Sequence, residues 1–142
     1  NIVINGIGNP AGSPKREVGS NQLVEGIFLD DNSNNIEIIG NTVANTSNNG
    51  LKIANGNSIT VDNNLFFNNG NALSIGNSIT GNDTRNNRIV NNQFFTKHID
   101  QNSYFINTYK DDISQMASFD KNYFFRPMGD EFSILNQYQK KR

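Results

Sequence analysis

The sequence predicts an all-β solenoid, a parallel β-helix of about five coils filling residues 1–142 as a single domain. Three observations predict it. A short strand pattern recurs on a period of 23 to 30 residues. A second short strand follows it in each repeat. Asn supplies 28 of the 142 residues, far above ordinary usage.

The first strand is carried by Ile36–Val43, Ile59–Phe66, Asn87–Phe94 and Ala117–Phe124, which align without gaps. An anchor Asn recurs at 41, 64, 92 and 122, so the period is 23, then 28, then 30. An apolar residue stands three before each anchor (Ile38, Val61, Ile89, Phe119) and another two after it (Val43, Phe66, Phe94, Phe124). Asn5, between Ile2 and Ile7, fits the same spacing and reads as an earlier copy.

The second strand is carried by Gly26–Leu29, Gly50–Ile53, Ala72–Ile75, Ser103–Ile106 and Glu131–Ile134. Each alternates apolar with variable residues, the period of a half-buried strand. No segment carries a sustained 3.6-residue apolar stripe, so little helix is expected. A Leu-rich consensus is missing, as is the Gly-Gly-x-Gly-x-Asp calcium repeat, and propeller blades are longer. One coil per period remains, each strand pairing with its copy in the next coil. At about 4.8 Å per coil, five coils make a rod of about 24 Å.

Expected core columns are Ile27/Leu51/Leu73/Tyr104/Phe132, Leu29/Ile53/Ile75/Ile106/Ile134, Ile38/Val61/Ile89/Phe119 and Val43/Phe66/Phe94/Phe124. The aromatic-rich end (Tyr104, Phe105, Tyr109, Phe119 and Tyr123 to Phe125) is read as core. The Asn excess follows from the same geometry. Tight turns need residues that tolerate left-handed backbone. A recurring buried Asn can bond its own copy in the next coil, satisfying polar groups that burial would otherwise orphan. Asn41, Asn64, Asn92 and Asn122 are assigned to such a ladder; Asn49, Asn55 and Asn69, each before Gly, are assigned to turns.

Composition narrows function. Hydrophobic residues are 35%, charged residues 18%, net charge is −1, and Cys is absent. Disulfide scaffolds and Cys-ligated zinc are excluded. There is no basic footprint for nucleic acid and no apolar run of the roughly 18 residues needed for membrane insertion. The chain opens on Asn1 rather than Met, with Ile2-Val3-Ile4 already strand-like, and no signal-peptide pattern is present. It reads as a piece of a longer protein with missing flanking coils or domains.

The coil pattern apolar-x-x-Asn-x-apolar, followed by Asn-Gly and a second strand, is seen over Ile38–Ile53 and Val61–Phe66. It resembles right-handed parallel β-helix repeat proteins of the pectin-lyase-like superfamily, over about Gly26 to Ile134. Asn122 to Pro127 resembles a late coil of secreted bacterial β-helix proteins. The resemblance implies a right-handed single-stranded solenoid, a polysaccharide partner, and a secreted or cell-surface bacterial location. The superfamily spans lyases, hydrolases, epimerases, tailspikes and noncatalytic adhesins, so fold alone does not choose among them. Two functions are carried: a lyase- or hydrolase-like protein acting on acidic polysaccharide, and a noncatalytic glycan-binding or structural module.

Outward strand positions form columns that a polysaccharide can follow: Glu37/Thr60/Arg88/Ser118 and Phe28/Lys52/Ser74/Phe105/Ser133. Cationic side chains pair with uronate carboxylates, and aromatics stack on sugars; Glu37, Lys52, Arg88 and Phe105 are the substrate-binding candidates. The catalytic candidates are Lys97, His98 and Asp100 on the turn 96–102, with Arg126 stacked on it from the next coil beside Asp130 and Glu131. His98 is the one His in the chain, a residue type that serves as general acid or base. At the opposite corner Asp30-Asp31, Asn82 to Arg85 and Lys110 to Asp112 offer oxygen ligands to Ca²⁺, though without a calcium-loop spacing. No metal or cofactor is assigned. Lys15-Arg16-Glu17 lies in a polar excursion, 12–21, from the first coil.

Overall fold

The computed structural model describes residues 1–8, 24–78, 81–110, 112–127, 129 and 134–138. Lys15 to Glu17, Asp111, Asp130, Glu131, Phe132 and Ser133, singled out in the sequence, lie outside the described residues. The described chain winds as a right-handed parallel β-helix. Coil one holds β1 (Ile2–Ile4), β2 (Ile27–Leu29) and β3 (Glu37–Ile39). Coil two holds β4 (Thr42–Ala44), β5 (Asn49–Ala54) and β6 (Thr60–Asp62). Coil three holds β7 (Leu65–Phe67), β8 (Asn71–Gly76) and β9 (Asn87–Val90). Coil four holds β10 (Gln93–Phe95), β11 (Asn102–Thr108), the one-turn helix α1 (Ile113–Met116) and β12 (Ala117–Asp120). Coil five supplies β13 (Tyr123–Phe125) and β14 (Ile134–Tyr138).

Stacking gives three parallel sheets. Sheet A runs β1-β4-β7-β10-β13, sheet B runs β2-β5-β8-β11-β14, and sheet C runs β3-β6-β9-β12. Two predicted columns keep their register throughout, though Phe124, at the end of the second, is exposed. Ile38, Val61, Ile89 and Phe119 are in register on sheet C. Val43, Phe66, Phe94 and Phe124 are in register on sheet A, with Val3 ahead of them. The rings of Phe66 and Phe94 stack at 5.2 Å, those of Phe94 and Phe124 at 5.5 Å, and Tyr104 meets Phe94 edge-on at 4.9 Å. Burial pushes the Tyr104 phenol above its usual pKa, against a smaller lowering by Asn122.

The sheet B columns need a correction in their last coil. Ile134 stands opposite Tyr104, not Ile106, so the strand begins at Ile134 and the predicted pairing is two residues out of step. A two-residue slip preserves which face each side chain takes, so the alternation in the sequence could not detect it. The aromatic-rich end also divides: Tyr104 is buried and Phe119 half-buried in the core, whereas Phe105 lies on the outer face of sheet B and Tyr123, Phe124 and Phe125 are exposed.

The predicted Asn ladder is present. Asn41, Asn64 and Asn92 each donate Nδ2 to the Oδ1 of the next anchor, at 3.0, 2.9 and 3.1 Å, ending on Asn122. Their backbone N–H groups donate to the same oxygens at 2.8 to 2.9 Å. The earlier copy is Asn1, not Asn5: Asn1 Nδ2 donates to Asn41 Oδ1 at 2.9 Å. Asn5 instead opens a second ladder on the other side of sheet A. Asn45 donates to Asn5, Asn68 to Asn45 and Gln101 to Asn68, at 3.2, 2.8 and 2.9 Å.

Two turn assignments are likewise corrected. Asn55 has the left-handed backbone of a turn former, φ 51°, but Asn49 and Asn69 do not. Asn49 begins a third ladder, accepting from Asn71, which accepts from Asn102, both at 2.8 Å. Its own amide donates to Glu25 at 2.7 Å. Asn69 accepts from the Thr46 N–H and hydroxyl and donates to the Val43 carbonyl. Half of the left-handed residues among the described ones instead precede the anchors or follow the sheet A strands. Gly40, Asn63, Asn91 and Lys121 form the first set, and Asn5, Asn45 and Asn68 the second.

Candidate functional site

The outer face of sheet B carries a column Phe28, Lys52, Ser74, Phe105, with all four in register as predicted; Leu135 rather than Ser133 follows. Alternation puts these residues outside because their neighbours Leu51, Ile53, Leu73 and Ile75 fill the core. The Lys52 ammonium lies 4.9 Å from the Phe28 ring centre, a cation–π distance. It also stands 3.4 Å from Glu25. Both Glu25 oxygens are already occupied by Asn48 and Asn49. Beside Lys52 an open cleft of about 470 Å³ runs toward the C-terminal coils, lined among others by Ser74, Asn77, Phe105, Asn107 and Tyr109.

The other two binding candidates lie on sheet C. Glu37, Thr60, Arg88 and Ser118 are in register, which leaves Glu37 and Arg88 two coils apart. Arg88 makes an exposed 3.5 Å ion pair with Asp62. It borders a hollow of about 510 Å³ with Arg85, Ser114, Gln115 and Ser118. Lys52 and Phe105 therefore share one cleft, and Arg88 and Glu37 do not join it.

The turn after β10 is built by Gln101. Its Oε1 accepts from the N–H groups of Lys97 and His98 at 2.6 and 3.0 Å. Thr96 occupies the place that Asn5, Asn45 and Asn68 take in earlier coils, and Gln101 reaches back to supply the missing amide. Arg126 stands one coil beyond Thr96. Its Nε donates to the Thr96 hydroxyl at 3.1 Å and its Nη2 to the Gln101 carbonyl. Stacking thus brings Arg126 onto the base of the turn. Lys97, His98 and Asp100 are exposed on its outside, with no hydrogen bond or ion pair to their side chains among the described residues. Gln101, missed in the sequence, was discoverable only from the loss of Asn at position 96.

At the opposite corner two carboxylates, Asp83 and Asp112, are engaged by cations. Asp83 pairs with Arg85 at 3.0 Å and Lys110 at 2.6 Å. Buried Asp112 pairs with Arg85 at 2.6 Å and accepts from the Thr108 hydroxyl at 2.5 Å. Burial alone would raise the Asp112 pKa; Thr108 and Arg85 outweigh it and hold the carboxyl below its ordinary value. Asp31 accepts from Asn55. Among the described residues no three His, Cys, Asp or Glu side chains converge to hold a metal ion. No helix among them is long and apolar enough to cross a membrane.

The parallel coils, the three sheets and the internal ladders agree with one sequence comparison. The family model for the right-handed β-helix region matches residues 19–125. The chain belongs to the right-handed β-helix family. No curated protein and no solved structure gives a significant match. Membership in this family establishes the solenoid and is silent on ligand and reaction.

Proposed function

We propose that this right-handed β-helix binds an acidic glycan along the outer face of sheet B. One observation carries the reading: a single cleft combines the Lys52 ammonium, the rings of Phe105 and Tyr109, and a floor of Asn and Ser side chains. Each part suits one feature of a uronate sugar. An ammonium pairs with its carboxylate, an aromatic ring covers its apolar C–H face, and amides and hydroxyls meet its hydroxyl groups. The cleft floor is held firmly because the strands beneath it, β5, β8 and β11, are each paired on both sides. Little ordering cost therefore falls on binding.

The lyase- or hydrolase-like alternative rests on the turn 97–100 and Arg126. A nucleophile or general base needs a partner within hydrogen-bond reach. Arg126 is engaged in holding the turn, and Lys97, His98 and Asp100 are not joined to one another. Binding without turnover is the function the geometry supports best. The resemblance to polysaccharide-active β-helix proteins supports the ligand class and a location outside the cell.

Calorimetric titration with oligogalacturonate and alginate oligomers tests this. Lys52→Ala and Phe105→Ala are each expected to weaken binding about tenfold, the scale of one well-placed contact. Unchanged affinity in both would sink the proposal. Appearance of ultraviolet-absorbing unsaturated products would replace binding with lyase chemistry.

A further inference from the structure

The cleft holds two buried polar atoms with no partner, Asn77 Nδ2 and Asn107 Oδ1. They belong to adjacent coils. The Asn77 N–H donates to the Asn107 carbonyl at 3.0 Å, and Asn107 stands opposite Gly76 in the sheet. A side chain at Gly76 would come within 2.9 Å of the Asn107 carbonyl, so glycine is what lets the two coils close here. Asn77 is fixed in orientation: its Oδ1 accepts from the Thr84 N–H at 2.6 Å. The idle atom of Asn77 is therefore a donor, and that of Asn107 an acceptor.

Native proteins leave few such atoms, and an unmade hydrogen bond in a buried place costs stability that a ligand can return. We infer that Asn77 and Asn107 form a hydroxyl-reading pair. One sugar hydroxyl accepts from Asn77 Nδ2 and donates to Asn107 Oδ1. This rests on the glycan-binding reading above and adds what that reading lacks, a basis for selectivity. A hydroxyl is the simple group that both donates and accepts. A carboxylate or an O-acetyl group accepts only and leaves Asn107 unmet. Neither atom touches solvent, so entry requires a small outward swing of Asn107, which is half-buried.

The test is calorimetric titration of the full chain with oligogalacturonate and with the same oligomer O-acetylated. The wild type is expected to favour the free-hydroxyl oligomer at least tenfold, as sites built around a hydroxyl do. Asn77→Asp keeps the acceptor for Thr84 but replaces the free donor. Asn107→Leu removes the free acceptor. Each is expected to abolish the preference, weakening the free-hydroxyl oligomer about tenfold more than the acetylated one, so that the ratio of the two affinities falls to about one. Circular dichroism checks folding; if Asn77→Asp does not fold, Asn107→Leu decides alone. Equal wild-type affinity for the two oligomers overturns the pair while glycan binding stands. A preference retained in the variants also overturns it, the atoms then being met by water. Absence of binding to either oligomer overturns both readings.

Discussion

Adjacent Asn residues in this chain do different work, and Asn63 and Asn64 show it. Asn63 is exposed and left-handed, φ 53°. Asn64 is buried and donates Nδ2 toward Ile38, Asp62 and Asn92 while accepting from Asn41. Removing each side chain therefore loses different things. Asn63→Ala strains one backbone position, for which about 1 kcal/mol is expected. Asn64→Leu orphans groups in two neighbouring coils, for which about 3 kcal/mol is expected. Urea unfolding of the two variants checks this, the midpoint moving further for Asn64→Leu at an unchanged slope. Equal losses would mean that the ladder adds nothing beyond its turns.

Strands of three to seven residues are too short to hold a fold singly, so stability sits in contacts between stacked copies. Phe94 is the clearest case, sandwiched between Phe66 and Phe124 with Tyr104 on its edge. Phe94→Ala is expected to cost about 4 kcal/mol, read by denaturant unfolding. Asp112 acts as a staple through Arg85 and Thr108. Its folded pKa lies below the ordinary carboxylate value. The stability it adds is complete above about pH 4 and is lost as pH falls through the folded value. Thermal midpoints measured across that range should fall more steeply in the wild type than in Asp112→Asn. Parallel curves would show that the carboxylate adds no acid sensitivity.

The whole molecule is quasi-one-dimensional, and its coils differ in how many neighbours they have. Coils two to four are paired on both sides in sheets A and B, whereas β1, β2, β13 and β14 are edges. The inward apolar column of sheet A shows it: Phe124, in the last coil, is 45% exposed, while Val43, Phe66 and Phe94 are at most 1%. Hydrogen exchange is therefore expected to be slowest in β5, β8 and β10, and faster in β1 and β13. Uniform protection would indicate a single cooperative unit instead of nearest-neighbour coupling.

The repeat announced the solenoid, because one residue column per coil must be apolar and one must be Asn, and both recur visibly around positions 41, 64, 92 and 122. It also determined that Lys52 and Phe105 share a face, since alternation with a buried strand core leaves them no other. Register in the last coil was decided only by the tertiary structure, because a shift by two keeps every face unchanged. The identity of the first ladder residue, Asn1 and not Asn5, was decided the same way. So were the contacts of Gln101 and Arg126 and the unpartnered amide atoms of Asn77 and Asn107. These depend on which loop atoms meet across a coil boundary, and loop geometry carries no period from which the sequence could announce it.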